Sequence, residues 1–183
     1  MHRRPYRTTL LVAITAILSL FAVTATSAQE APAPKPIDLP CVSNVSGQVL
    51  NATPVGDGSQ TLVLVRIILG PGGTIGNHTH PGTLAVTIES GSFGLTLSDH
   101  GEMGINRGGP ASAESTPEPM TPGQQYTLAP GDGFIETGMI HRAANLSDGD
   151  TTVLIAGLIT TGEPLTQCVE DATPVAGAGQ HTD

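Results

Sequence analysis

Two histidines separated by one residue, His78 and His80, are the side chains of this sequence that most clearly indicate chemistry. On an extended strand, side chains two positions apart lie on the same face, so both imidazoles are expected to point the same way. Converging neutral imidazoles are good ligands for a divalent transition metal such as zinc, iron, manganese, nickel or copper. A third histidine, His141, closely follows Gly138 in a second strand-like segment. His78, His80 and His141 are therefore the candidate metal ligands.

A structural role is the alternative for each of these histidines taken alone. His78 and His80 would then be ordinary hydrogen-bonded strand residues, and His141 would be a turn residue. Three histidines in this arrangement favour metal binding over that alternative.

The segments that would position these histidines have the pattern of an all-β domain. The chain of 183 residues contains 23 glycines and 15 prolines, and its apolar residues form short β-branched runs bounded by Gly, Pro, Asn or Asp. About eight such strands with regular turn signals predict a sandwich or a barrel. The predicted strands are 45–50, 61–69, 84–88, 93–97, 124–128, 134–137, 140–144 and 152–160.

Residues 98–123 interrupt the regular succession of strands and turns with a long polar stretch that contains four prolines. We expect a surface loop or lid there. His100 and Glu102 lie in this stretch and are interpreted as solvated loop residues rather than as parts of the site.

The first histidine segment resembles the first motif of the cupin family, G-x5-H-x-H-x3-E-x6-G. Gly72, His78, His80 and Gly91 occur at its spacing, but Leu84 stands where the motif has glutamate. The match is to a single-domain, cupin type-2-like protein with this one replacement.

The second segment resembles the second cupin motif, G-x5-P-x-G-x2-H-x3-N. Gly138, His141 and Asn145 match it, Glu136 stands where proline is usual, and Gly131 is one residue too close. Asn145 is expected to hold a turn through hydrogen bonds from its side chain to the backbone.

The resemblance covers about residues 45–160 and implies a jelly-roll β-barrel with a metal or a ligand in its mouth. It also implies that the metal ligands are His78, His80 and His141. Some cupins, including thiol and diketone dioxygenases, bind iron through three histidines, so the loss of the glutamate is tolerable. Because cupins often dimerise through their sheets, a homodimer is compatible with the resemblance.

The residues after Leu84 alternate between apolar and polar or small side chains, so Leu84 is expected to face the core and Glu89 the solvent. Glu89 therefore cannot replace the missing acid. Glu136 could serve as a substitute ligand, but an exposed strand acid is the preferred interpretation of this residue.

Residues 1–28 have the pattern of a signal peptide. Three arginines precede an apolar run at 10–23, and small residues suited to cleavage end the segment. The alternative is an uncleaved membrane anchor, but 14 apolar residues fall short of the about 20 needed to span a bilayer. We expect a secreted or extracytoplasmic protein without stable membrane insertion after cleavage.

We expect the rest of the chain to divide into a Pro-rich linker at 29–40, a β-barrel domain at 41–170, which the resemblance implies is a cupin domain, and a flexible tail at 171–183. Cys41 and Cys168 lie near the two ends of the barrel domain. An even number of cysteines in an exported chain predicts a disulfide between them, and two free buried thiols are the alternative.

Charge narrows the range of partners. The formal net charge is −9, and removal of the signal peptide leaves four basic against sixteen acidic residues, which is −12. Phosphate binding needs a basic surface, so nucleic acid is excluded as a main partner. A small-molecule ligand or substrate is the partner that the sequence favours.

Three classes of function are compatible with these residues. The first is an exported metal-dependent cupin enzyme, such as an oxygenase acting on a small chelating substrate, because three protein ligands leave positions open on the metal. The second is a non-catalytic binding or scaffold protein with a degenerate metal site. The third, an isomerase or epimerase, needs an acid–base pair that the sequence does not place in the barrel.

Overall fold

The computed structural model describes residues 35–99, 101–108 and 116–170, and the regular structure in these ranges is entirely β-strand. The predicted signal peptide, the predicted tail and His100 lie outside the described residues. The described strands are β1 (Lys35–Pro36), β2 (Val42–Val55), β3 (Gln60–Thr79), β4 (Gly82–Ser90), β5 (Phe93–Leu97), β6 (Gly104–Asn106), β7 (Glu118–Pro119), β8 (Gln125–Leu128), β9 (Gly133–Glu136), β10 (His141–Asn145), β11 (Thr151–Thr160) and β12 (Gln167–Cys168).

These strands form one antiparallel sheet in the order β7-β6-β9-β4-β11-β3-β10-β5-β8, with β2 and β12 also paired to β3 and β1 paired to β2. The first half of β3 pairs with β11, and its second half pairs with β10. The sheet curls around one apolar core as a half-barrel, so the predicted all-β, barrel-like fold is confirmed. None of the described residues forms a helix long and apolar enough to cross a membrane.

Strand β3 changes direction at a glycine-rich bend between its two halves. Gly72 has a φ of +68°, a left-handed conformation that favours glycine. A Cβ atom on Gly73 would lie 2.7 Å from the backbone oxygen of Asn44, so only glycine lets these two backbones come so close. The amide of Asn44 also donates to the Pro71 carbonyl at 3.0 Å. The bend separates the half of β3 that packs against β11 from the half that carries His78.

Alternation of buried and exposed residues along the central strands builds the core. In β4, Leu84, Val86 and Ile88 are buried while the residues between them are exposed, as the sequence predicted. Strand β3 shows the same alternation over its first half. Side chains two apart share one face of a sheet, so the apolar set of each strand meets at a common interior.

The segment at 98–123, predicted to be a surface loop or lid, contributes to the core. It contains β6 and β7, and its apolar side chains Met103, Ile105 and Met120 are buried. For the described parts of this segment, residues 98–99, 101–108 and 116–123, the prediction of a surface loop was wrong, because these apolar residues occur singly among polar ones and leave no period to detect. Glu102 is exposed, as expected.

Asn145, at the end of β10, holds the turn that leads to β11, as predicted. Its side-chain nitrogen donates to the carbonyl oxygens of Leu69, Gly70 and Gly149 at 2.7–2.9 Å. Its side-chain oxygen accepts hydrogen bonds from the Thr151 hydroxyl at 2.6 Å and, at 2.8 Å, from the amide of the residue two positions on.

Replacing Asn145 with alanine is expected to lower the free energy of unfolding by about 2–4 kcal/mol, because several buried hydrogen-bonding groups would lose their partners. Urea denaturation of Asn145→Ala and of the unsubstituted protein measures this difference. A loss below about 0.5 kcal/mol, the range of ordinary surface substitutions, would contradict it.

Candidate metal centre

The three predicted histidines meet inside the curled sheet. His78 lies one residue before the end of β3, His80 follows that strand, and His141 begins β10 directly opposite His78. Their ring centroids are 4.2–5.3 Å apart, and their candidate ligand atoms all lie within 4.8 Å of one another. Each residue is at most 8% exposed. The structure therefore brings the whole predicted set together in a buried position.

Each imidazole uses its Nδ1 atom in a hydrogen bond to a backbone carbonyl. The pairs are His78 with Gly76 at 2.7 Å, His80 with Leu165 at 2.6 Å and His141 with Met139 at 3.1 Å. A carbonyl oxygen only accepts hydrogen bonds, so Nδ1 carries the proton and Nε2 keeps its lone pair. This is the arrangement that fixes a histidine for metal coordination through Nε2.

Burial keeps these imidazoles neutral. It lowers the pKa of His78, lowers the pKa of His80 to about 4, and lowers the pKa of His141 well below 6.5. Repulsion by His78 lowers the pKa of the other two further. The ring nitrogens therefore stay available as ligands below the pH at which a free histidine is protonated.

Glu136 is a buried member of this region, and its interpretation as an exposed acid was wrong. The residue is 0% exposed, and its Oε1 lies 3.8 Å from Nε2 of His80. It lies directly opposite Leu84 in the pairing of β9 with β4. Burial raises the pKa of Glu136 to about 8, and the backbone amide of Gly138 opposes part of this shift. Neither carboxylate oxygen forms a hydrogen bond of acceptable geometry within the described structure.

Glu89 faces away from the site, as predicted. Its carboxylate accepts two hydrogen bonds from Arg66 at 2.7 and 3.0 Å on the outer face of the sheet. This pair lowers the pKa of Glu89 through the hydrogen bond from the guanidinium. Glu89 therefore takes no part in the histidine cluster.

A small cavity of about 40 Å³ adjoins the histidines. Apart from the imidazoles, its lining is almost entirely apolar, and an apolar wall excludes water and strengthens electrostatic interactions inside. Residues from both ends of the described chain cover it, Leu39 and Val42 from one side and Leu165 and Thr166 from the other. The lining from the sheet includes Ile67, Leu69, Val86, Phe93, Phe134 and Ile155.

The disulfide between Cys41 and Cys168 links these two covering segments. The prediction of this bond is confirmed, and the alternative of two free thiols was wrong. The Cys41 carbonyl accepts a hydrogen bond from the Gly76 amide at 2.8 Å, and Cys168 pairs with His78 in the ladder of β12 and β3. The bond therefore fastens both segments beside the strand that carries His78.

No protein-family model and no curated protein matches the chain. It is similar to the solved structure of KdgF from Halomonas sp., at 16% identity over 62% of this chain and 78% of that one, with a TM-score of 0.42. A cupin 2 domain-containing protein from Halorhodospira halophila matches at 15% identity over 70% and 72% of the two chains, with a TM-score of 0.46. The oxalate decarboxylase of Lactobacillus farciminis, solved as a formate complex, matches at 14% identity over 70% of this chain and 33% of its own, with a TM-score of 0.43.

At such identities the similarity concerns the fold alone. With its antiparallel sheet curled around histidines from both motif segments, the chain resembles the cupin superfamily, as the sequence predicted.

Proposed function

We propose that the protein binds one divalent transition-metal ion through the Nε2 atoms of His78, His80 and His141. The observation that carries this proposal is the shared geometry of the three rings, each of which donates its Nδ1 proton to a backbone carbonyl. Three lone pairs are thereby held together in a buried site. Imidazole donors favour zinc, iron, manganese, nickel or copper over magnesium and calcium, which prefer oxygen.

We further propose that the bound ion takes part in an oxygenase reaction on a small chelating substrate. The ion would supply Lewis acidity and redox chemistry, and a site with few protein ligands leaves coordination positions for small molecules. The chain itself would orient the imidazoles and exclude water through the apolar lining. The cavity of about 40 Å³ has room for only a few water-sized groups, so it favours small ligands over bulky ones such as flavonols.

Replacing His141 with alanine is expected to abolish stoichiometric metal binding, because one of the three imidazole ligands is lost. Elemental analysis of the exported protein, together with zinc titration of the metal-free form, measures the change. Arg142→Ala is the matched control, since Arg142 is the exposed neighbour of His141 on the same strand. One equivalent of metal retained by folded His141→Ala would contradict the ligand assignment.

The oxygenase proposal has a separate test. Dioxygen uptake is measured with Fe²⁺-loaded protein and a panel of small diketones and thiols, with the His141→Ala variant as the blank. Substrate-dependent uptake by the unsubstituted protein alone supports the proposal. If the iron-loaded protein shows no substrate-dependent dioxygen uptake with any compound of the panel, the oxygenase proposal is wrong, and the proposal of metal binding is unaffected.

We also propose that the protein works outside the cytoplasm, after removal of residues 1–28. The Cys41–Cys168 disulfide supports this location, because such bonds persist mainly in oxidising compartments. Mass spectrometry of the exported protein tests the proposal, and a mature chain that begins at Gln29 is the expected result. A chain that retains its first residues would contradict it.

A further inference from the structure

Two acidic side chains are buried in the described part of the chain, and their surroundings differ. Asp132 accepts hydrogen bonds at 2.9 Å from the Arg107 guanidinium and from the backbone amides of Gly108 and Ala129. Glu136 is more deeply buried, and neither of its oxygens has such a partner. A buried acid without a hydrogen-bond partner costs stability even when it is neutral, and a cation bound beside Glu136 would compensate this cost.

The atom that faces Glu136 indicates what this partner is. Nε2 of His80 lies 3.8 Å from Oε1 of Glu136, and it holds a lone pair because Nδ1 of the same ring donates to the Leu165 carbonyl. The separation of these two atoms is too long for a hydrogen bond in either direction. Metal–ligand bonds of about 2.1 Å place two ligand atoms of one ion roughly 3–4 Å apart, so the separation from His80 suits a shared cation. Glu136 lies outside the group of three histidines whose ligand atoms are within 4.8 Å of one another, so its carboxylate would have to shift towards the ion.

We propose that Glu136 supplies, from β9, the anionic ligand of the metal centre, beside His78, His80 and His141. The inference rests on the metal binding proposed above and names a fourth protein ligand for it. Three neutral imidazoles leave the full charge of a divalent ion uncancelled in an apolar cavity, and one carboxylate halves that charge. Leu84 lies directly opposite Glu136 and has no atom that could do so.

The test compares metal affinity with the stability of the metal-free protein. Glu136→Gln and Glu136→Met both remove the anionic ligand, and Glu102→Gln is the control because Glu102 is an exposed acid. Zinc affinity is measured by competition with a chelator, and thermal unfolding is measured without metal. We expect zinc affinity to fall roughly 100-fold in both Glu136 variants and to stay unchanged in Glu102→Gln.

The metal-free protein gives the readout that separates a ligand from a structural residue. We expect Glu136→Met to raise the metal-free unfolding midpoint, because it fills the same space without an unpaired buried acid. A purely structural Glu136 would instead give a lower midpoint and a nearly unchanged zinc affinity, which would overturn the proposal. If Glu136→Gln fails to fold, the zinc affinity and the unfolding midpoint of Glu136→Met are sufficient to test the proposal.

The visible spectrum of the Co²⁺-loaded protein provides a third readout, because it reports the ligands of the ion. It is expected to change in the Glu136 variants and to stay unchanged in Glu102→Gln. Zinc affinity within twofold of the unsubstituted protein in Glu136→Met would overturn this inference alone. An unsubstituted protein that binds no zinc, cobalt or iron would overturn the proposed function and this inference together.

Discussion

Opening the Cys41–Cys168 disulfide is expected to lower the free energy of unfolding by about 4–5 kcal/mol, the largest single effect on stability that the structure indicates. The two cysteines are 127 residues apart in the sequence, so the bond removes much of the freedom of the unfolded chain. Urea denaturation of the Cys41→Ser/Cys168→Ser double variant, compared with the oxidised protein, measures the change. The double variant avoids the unpaired thiol that a single substitution would leave.

The same variant is expected to bind metal more weakly. The disulfide holds the end of the described chain against β3, and the Leu165 carbonyl at this end accepts the Nδ1 proton of His80. A loosened segment would let the imidazole of His80 turn, and groups that orient a metal ligand typically change affinity 10–100-fold. A double variant with unchanged stability and unchanged zinc affinity would show that the bond does not support the site.

The metal-free protein is expected to be most stable near pH 6.5, with losses on both sides. On the acid side the cause is the buried histidines. The pKa of His80 is about 4 in the folded protein and 6.5 when exposed, and the pKa values of His78 and His141 are also lowered. Between these pH values the unfolded chain binds more protons, so stability is complete above pH 6.5 and falls as the pH decreases.

On the alkaline side the cause is Glu136. Its pKa is about 8 in the folded protein and 4.5 when exposed, so the folded state binds the extra proton between these values. This contribution decreases as the pH rises, by up to about 1.4 kcal/mol per pH unit. Below pH 6.5 the loss of stability caused by the three histidines is larger than the gain from Glu136. Above pH 6.5 Glu136 is the only one of these four groups that changes the stability.

Urea denaturation in the presence of a chelator, from pH 4 to pH 9, measures this profile. Glu136→Gln is expected to keep the loss below pH 6.5 and to lack the loss between pH 6.5 and 8. Glu102→Gln, which removes an exposed acid, is expected to follow the unsubstituted protein. A Glu136→Gln profile that still decreases above pH 6.5 would assign the alkaline loss to another group.

The strands that the sequence predicted are those with a clear apolar period. Strand β5 has the predicted bounds, β4 extends two residues beyond the prediction at each end, and β11 begins one residue earlier than predicted. The missed strands, β1, β6, β7 and β12, have two or three residues each, too few to show any period. Their pairing is decided by the neighbours that the folded chain brings to them.

The three histidines were predictable because strand parity and motif spacing fix their common face. Glu136 was not, because Ile135 beside it is 47% exposed, which makes the outward face of β9 apolar. Phe134 could have indicated the burial of Glu136, because the two residues are two positions apart on β9 and so share one face of the sheet, and Phe134 is buried. The position of Glu136 opposite Leu84 depends on the pairing of β4 with β9, which no local pattern encodes.

The backbone anchors of the imidazoles have a consequence for how this site tolerates change. Gly76, Leu165 and Met139 contribute carbonyl oxygens, which every amino acid possesses. A substitution at these positions that preserves the path of the chain therefore leaves the ring orientation intact. We therefore expect that the side chains at these three positions can vary in evolution, and that the path of the main chain is what must be kept for the imidazoles to hold their geometry.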